Sequence, residues 1–214
     1  MSKRNRLFGL LAVVSIVFIV YALVKNYLVD PGAESFLSHK TGLKRELHLS
    51  AWLSVMRVHV AFACIAMAAG LLNFSNRLFE KSRKFHRING YVYVMSVLIV
   101  IITSGYMAPY ATGGTAASMG FNLLNLIWLG ITAAALVHIR QKRIVRHRNG
   151  MIRSYAFCFT NMSIHLLTTV LNGGFGIDYS NAYTFGVYGS IVLLLIVPGI
   201  VVRLLRPIRA QENT

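Results

Sequence analysis

The stretch AWLSVMRVHVAFACIAMAAGLLN, residues 51–73, carries one charged side chain, Arg57, and no proline. About 20 mostly apolar residues in a helix cross a hydrocarbon core roughly 30 Å thick, and an apolar run of this length is too long for a strand. The stretch therefore predicts a membrane span. Its polar and small residues are ordered as well. At about 100° per residue, His59, Ala63, Ala66, Gly70 and Asn73 fall on one face, and small residues on a face let a second helix approach closely.

Five more stretches meet the same criterion, at approximately residues 7–24, 91–110, 119–139, 152–171 and 183–202. The composition agrees: 56% hydrophobic and 13% charged residues, with a mean hydropathy of +0.59, are the proportions of a membrane protein. No soluble domain fits between the spans. The expected architecture is all-α, a single transmembrane domain over residues 1–214 forming an integral membrane six-helix bundle whose core is spans two to five. The opening MSKRNR is similar to the charged start of a signal peptide. The apolar run behind it is long, however, and VKNYLVD offers no A-x-A-like cleavage site, so an anchor is expected. The connection over residues 25–50 reads as a turn at DPGAES followed by a short amphipathic surface helix in HKTGLKRELH. Pro109 and Gly113-Gly114 predict an outer turn, and Trp52, Tyr110 and Tyr179 an outer aromatic belt.

Charge orients the bundle. Of the 22 Lys and Arg residues, seventeen fall on the N-terminus, the second-to-third loop, the fourth-to-fifth loop with its helix start, and the tail. Lys25, Lys40, Lys44 and Arg45 fall on the other side. The positive-inside rule makes the first side, and so both termini, cytoplasmic. The net charge of +16 is thus spread between apolar runs, without any nucleic-acid motif, and excludes nucleic acid as the partner. The expected partner is the bilayer, with anionic headgroups at the cytoplasmic rim. Cys64 and Cys158 lie inside spans, without metal or redox spacing. Arg57 points nearly opposite His59, toward the outer interface or an acid such as Glu46.

Two phrases on the cytoplasmic rim nearly repeat: FHRING, ending at Gly90, and RHRNG, ending at Gly150. Asn89 and Asn149 are expected N-caps of the third and fifth spans. His86, Arg87, His147 and Arg148, with Arg153 beyond, stand where a lipid phosphate, another anion or a partner would meet them.

Polar residues in a span face protein, because lipid offers them no hydrogen bonds. In the fifth span Ser154, Cys158, Asn161, His165, Thr169 and Asn172 share one face. His59 and His165 lie at matching depths, roughly 12 and 9 Å from the outer end at 1.5 Å per residue. Two inward imidazoles there suit hydrogen bonding between helices, a path for protons or a solute, or ligation of a haem iron or metal. An inner level holds His86, His138 and His147. With Asn73 and Asn161 these residues complete the candidate ligand-binding set.

The motifs VHVAFA, GLLNF, HRINGYVYV, YATGGTAASMGF, IW and HRNGMIRSYAF resemble a bacterial membrane protein family, domain of unknown function 2306, over about residues 55–171. The resemblance implies a multi-pass protein of the bacterial plasma membrane. It marks His59, His86, Arg87, Gly113, Gly114, Gly120, Phe121, Trp128, His147, Arg148, Met151, Arg153 and Tyr155 as motif positions. It implies no activity. The family usually has Gln at Asn73 and Arg at His165, which counts against a family-wide haem clasp through His165. The chain also looks like the two-haem cytochrome b bundles in plan, but His59 and His138 sit at opposite depths and that correspondence fails.

No nucleophile–base pair, phosphate loop or carboxylate pair is present, and Glu80 and Glu212 are the acids near the cytoplasmic side. The expected function is therefore non-enzymatic: a polar, histidine-containing cavity between helices that binds a small ligand or passes protons or a solute. The alternatives are a b-type haem or quinone redox protein using paired histidines, and an assembly or sensor partner.

Overall fold

The computed structural model describes residues 3–40 and 46–204. Among them there is no strand. The chain runs through α1 (Lys3–Leu23), α2 (Glu34–Leu37), α3 (Leu49–Asn73), α4 (Asn76–Lys81), α5 (Arg83–Met107), α6 (Gly114–Arg140), α7 (Ile144–Ala156), α8 (Thr160–Thr169) and α9 (Tyr179–Leu204). Five helical segments are long and apolar enough to cross a membrane: Asn5–Val29, Leu49–Asn73, Arg83–Tyr110, Gly114–Arg140 and Tyr179–Leu204. The expected span over 152–171 is not one helix. It is built from α7 and α8, separated by a 3-10 turn at Phe157–Phe159 and followed by a π turn at Val170–Gly174.

Both rim phrases lie inside helices, which corrects the capping role expected for their asparagines. α5 starts at Arg83, where the Ser82 hydroxyl accepts from the Phe85 amide at 3.1 Å. Asn89 sits two turns in, and donates through Nδ2 to the Ala69 carbonyl (2.7 Å) and to Asn73 Oδ1 (2.8 Å). α7 likewise starts at Ile144, before Asn149. Each Asn-Gly is thus a place where two helices touch. A Cβ on Gly90 would meet the Asn73 amide at 3.5 Å, and one on Gly150 would press on Ala135 Cβ at 2.8 Å.

The outer connections differ in part from expectation. Asp30 holds the turn, its carboxylate accepting from the amides of Glu34 (2.8 Å) and Ser35 (3.1 Å), and the helix that follows is α2. Residues 41–45 of the predicted surface helix lie outside the described residues, and Glu46–His48 are not helical. The turn at 108–114 forms as expected, with Gly113 at φ 90° and Gly114 at φ 65°. Trp52 is 1% exposed and stacks under Phe36 with ring centres 5.9 Å apart, so it belongs to the core and not to an interfacial belt. Arg57 donates to the Pro31 carbonyl at 3.1 Å, and makes no ion pair with Glu46.

The centre of the bundle is polar. The Thr132 hydroxyl donates to the Trp128 carbonyl (2.8 Å), so at its 2.7 Å contact with Ser154 it must accept. Ser154 has then used its proton, and it accepts from the Tyr93 hydroxyl (2.7 Å) and from Trp128 Nε1–H (3.2 Å). The next residue does the same for two other helices. Tyr155 donates to the Met67 carbonyl (3.0 Å) and accepts from Ser15 (3.0 Å), a fully buried residue of α1. Ser154 and Tyr155 together tie α7 to α1, α3, α5 and α6. Every hydroxyl in the two sets has a partner, as a low-dielectric interior demands.

Close packing admits the rings. A Cβ on Gly70 would fall on the Tyr155 ring and stand 3.2 Å from Tyr93. α8 packs on α9 in the same way, with Gly186 under Thr168 and Gly189 under Leu167. Gly70→Ala should therefore lower the stability of the detergent-purified protein by about 1–3 kcal/mol, the usual cost of overpacking a rigid site. Thermal unfolding checks this; Gly130→Ala, in a helix interior and facing open space, should leave the melting temperature the same or higher.

Candidate functional site

A cavity of about 350 Å³ opens between the helices. His59 and Ala63 of α3, Ser104 of α5, Asn125 of α6, and Cys158, Asn161 and His165 around α8 line it. It reaches the end of the bundle opposite the arginine-rich one, where Lys25, Asp30, Phe36, Lys40 and Tyr179 surround it. His59 and His165, expected at one depth, thus open onto one space. Asn161 joins them. Asn73 does not: it is bound to Asn89 at the far end of α3.

The 3-10 turn explains how one helical segment serves both hub and cavity. Three residues at about 120° each, in place of 100°, advance the helix face by roughly 60°. Thr160 fastens the turn by donating to the Phe157 carbonyl at 2.6 Å. Before it, Ser154 faces α5 and α6; after it, Asn161 and His165 face the cavity. The single polar stripe expected along this span is therefore split in two, and Asn172 leaves it altogether to close the outer turn on the Ile177 carbonyl (2.8 Å).

Hydrogen bonding fixes the His59 ring. Thr103 spends its proton on the Ile99 and Val100 carbonyls (2.7 and 3.0 Å), so His59 Nδ1 donates to Thr103 Oγ1 at 2.9 Å. In the neutral ring this makes Nε2 the acceptor nitrogen. Asn125 donates to Ser104 at 3.0 Å, and His165 meets Tyr183 edge-on with ring centres 6.4 Å apart. Both cysteines border the cavity as free thiols.

Lys40 was not among the residues picked out by sequence. Its ammonium donates to the Tyr110 carbonyl and lies over the rings of Phe36 (4.5 Å) and Trp52 (5.2 Å). Burial pulls it down to about 8, since removing it from water disfavours the charged form. A lysine in a polar connection gave no hint of this, because strap 30–40 reaches the cavity only through the fold.

At the opposite end the rim residues separate into two groups. His86 and His147 lie near each other, which brings the two repeated phrases together. His86 meets Phe79 edge-on at 5.1 Å, and His147 donates from Nδ1 to the Ala135 carbonyl at 2.8 Å. His138 keeps a buried Nδ1 without a partner among the described residues. No group of three or more metal-binding side chains forms among the described residues, so the inner histidines do not make a metal cluster. Arg87 and Arg148 are exposed. Arg153 faces, with Arg203, a separate cleft of about 430 Å³ along Leu195, Ile196, Gly199 and Ile200 of α9.

Most of the remaining motif positions are packing devices. Gly113 abuts Thr184, Gly120 lets Val187 in, and Trp128 and Tyr155 belong to the hub. Long apolar helices around a buried polar centre define a polytopic helical membrane protein. The chain belongs to the family of predicted membrane proteins named domain of unknown function 2306, whose model matches residues 56–202, and so takes in most of α9 as well. No curated protein and no solved structure matches it.

Proposed function

We propose that this is a non-enzymatic, six-span protein of the bacterial plasma membrane, with both termini cytoplasmic, that binds a small ligand in the cavity bordered by His59, Asn161 and His165. The observation that carries the reading is the convergence of polar groups from four of the spans on one open space. Lipid-facing surface does not collect such groups, and packing alone does not leave them room. The two-part α7–α8 segment serves as the fifth span. Its interruption lies against protein, where irregular backbone inside a membrane is tolerated. The seventeen basic residues at one end support the orientation, and the exposed Arg87, Arg148 and Arg153 there suit anionic headgroups.

Cysteine accessibility tests orientation and cavity together. In a background with Cys64 and Cys158 replaced by serine, Asn161→Cys should react with an impermeant methanethiosulfonate added outside intact cells. Ser82→Cys and Gln141→Cys should react only after the cells are opened. Labelling of Ser82→Cys or Gln141→Cys from outside overturns the orientation, and an Asn161→Cys that stays unreactive from outside overturns the outward-opening cavity.

A second reading, a b-type haem protein, draws on one observation: His59 and His165 border the same space. The absorbance spectrum of protein purified from haem-supplied cells decides it. A Soret band that sharpens on dithionite reduction and disappears in His59→Ala supports haem; a featureless visible spectrum removes that reading and leaves ligand binding.

A further inference from the structure

From the donors gathered at its outer end we infer that the cavity takes an anionic amphiphile, a compact molecule with one carboxylate and an apolar body, whose acid group is held by Lys40 and Trp52. The inference rests on the ligand-binding reading above and names the ligand class.

Two independent observations point to an acceptor there. Lys40 has three N–H donors, spends one on the Tyr110 carbonyl and lies over two aromatic faces. Among the described residues no carboxylate lies within ion-pair distance of it. Asp30 borders the same cavity, but it is engaged elsewhere: Lys25 stands 3.4 Å from it, and the amides of Glu34 and Ser35 bind it at 2.8 and 3.1 Å. Trp52, a lining residue 1% exposed, carries a buried indole N–H with no hydrogen-bond partner among the described residues. An unpaired ammonium and an orphaned N–H at one end of a cavity are both costly alone. A carboxylate satisfies the ammonium with charge-assisted bonds, and the indole N–H as well once the side chains over it part to admit it.

The body of the ligand follows from what lies deeper. Met56, Met67, Leu124 and Phe157 give the cavity apolar walls. At about 30 Å³ per water-sized group, a 350 Å³ space holds roughly a dozen such groups. That is the size of a medium-chain carboxylate, and well short of a two-chain phospholipid.

The test uses the full-length protein in nanodiscs and two photoreactive probes that share one diazirine-bearing ten-carbon chain, one ending in a carboxylate and the other in an alcohol. After irradiation, adducts are located by peptide mass spectrometry. The carboxylate probe should label the cavity segments around Met67 and Leu124 at least 10-fold more than the alcohol. Lys40→Met should bring its labelling down to the alcohol's level. Trp52→Phe, which keeps the ring and removes the N–H, should lower it several-fold, and this gentler variant carries the test if Lys40→Met fails to fold. Equal cavity labelling by both probes, unchanged in the variants, overturns the acid-group assignment while leaving the cavity reading standing. Adducts confined to the lipid-facing surface of α9, with none in the cavity, overturn both.

Discussion

One serine hydroxyl holds the centre of this protein together. Ser154 accepts from Tyr93 and Trp128 and donates to Thr132, so groups from three helices meet on one oxygen. In water such contacts exchange freely with solvent. In a bilayer, helices are not driven together by the hydrophobic effect, so close packing and hydrogen bonds between helices must do it. Tyr155, one residue on, extends the same logic to α1 and α3, and Gly70 supplies the space for its ring. The dipeptide Ser154-Tyr155 is therefore the point through which most of the bundle is connected.

That hub also accounts for the cavity. A continuous helix carrying Ser154, Asn161 and His165 on one stripe would point all three at the same neighbours. The 3-10 turn at Phe157–Phe159 rotates the later residues away, so the helix is anchored on one side of the turn and leaves polar groups free on the other. The strap after α1 then brings Lys40 and Phe36 over the outer end. Rigidity at one level and open polar space at another come from one local change in helical pitch, and a preformed cavity with few fixed polar groups is what small-ligand sites usually offer.

The sequence told much of this and missed some of it for physical reasons. Spans and stripes were legible because bilayer thickness and helical period are regular: the face of His59, Gly70 and Asn73 is the one that packs. His59 and His165, counted to matching depths at 1.5 Å per residue, border one cavity. An asparagine before an apolar run looks like a cap, but α5 and α7 start at Arg83 and Ile144, ahead of the asparagines, and Asn89 binds across to α3 instead. The single stripe of the fifth span was misread because one 3-10 turn leaves no clear mark in composition. Lys40 and the burial of Trp52 were invisible, because both depend on where a polar connection folds back.

The central claim is that Ser154 organises the bundle, and it is tested most directly by comparing two buried serines. Ser190 is equally buried, but among the described residues its hydroxyl bonds only to the Val187 carbonyl of its own helix at 2.7 Å. Ser190→Ala should therefore cost a few tenths of a kcal/mol, whereas Ser154→Ala strips a partner from Tyr93, Trp128 and Thr132 and should cost about 1–3 kcal/mol. Equilibrium unfolding of the two variants in the same detergent measures both. A Ser154→Ala loss clearly larger than that of Ser190→Ala is the predicted result; equal losses would contradict the account.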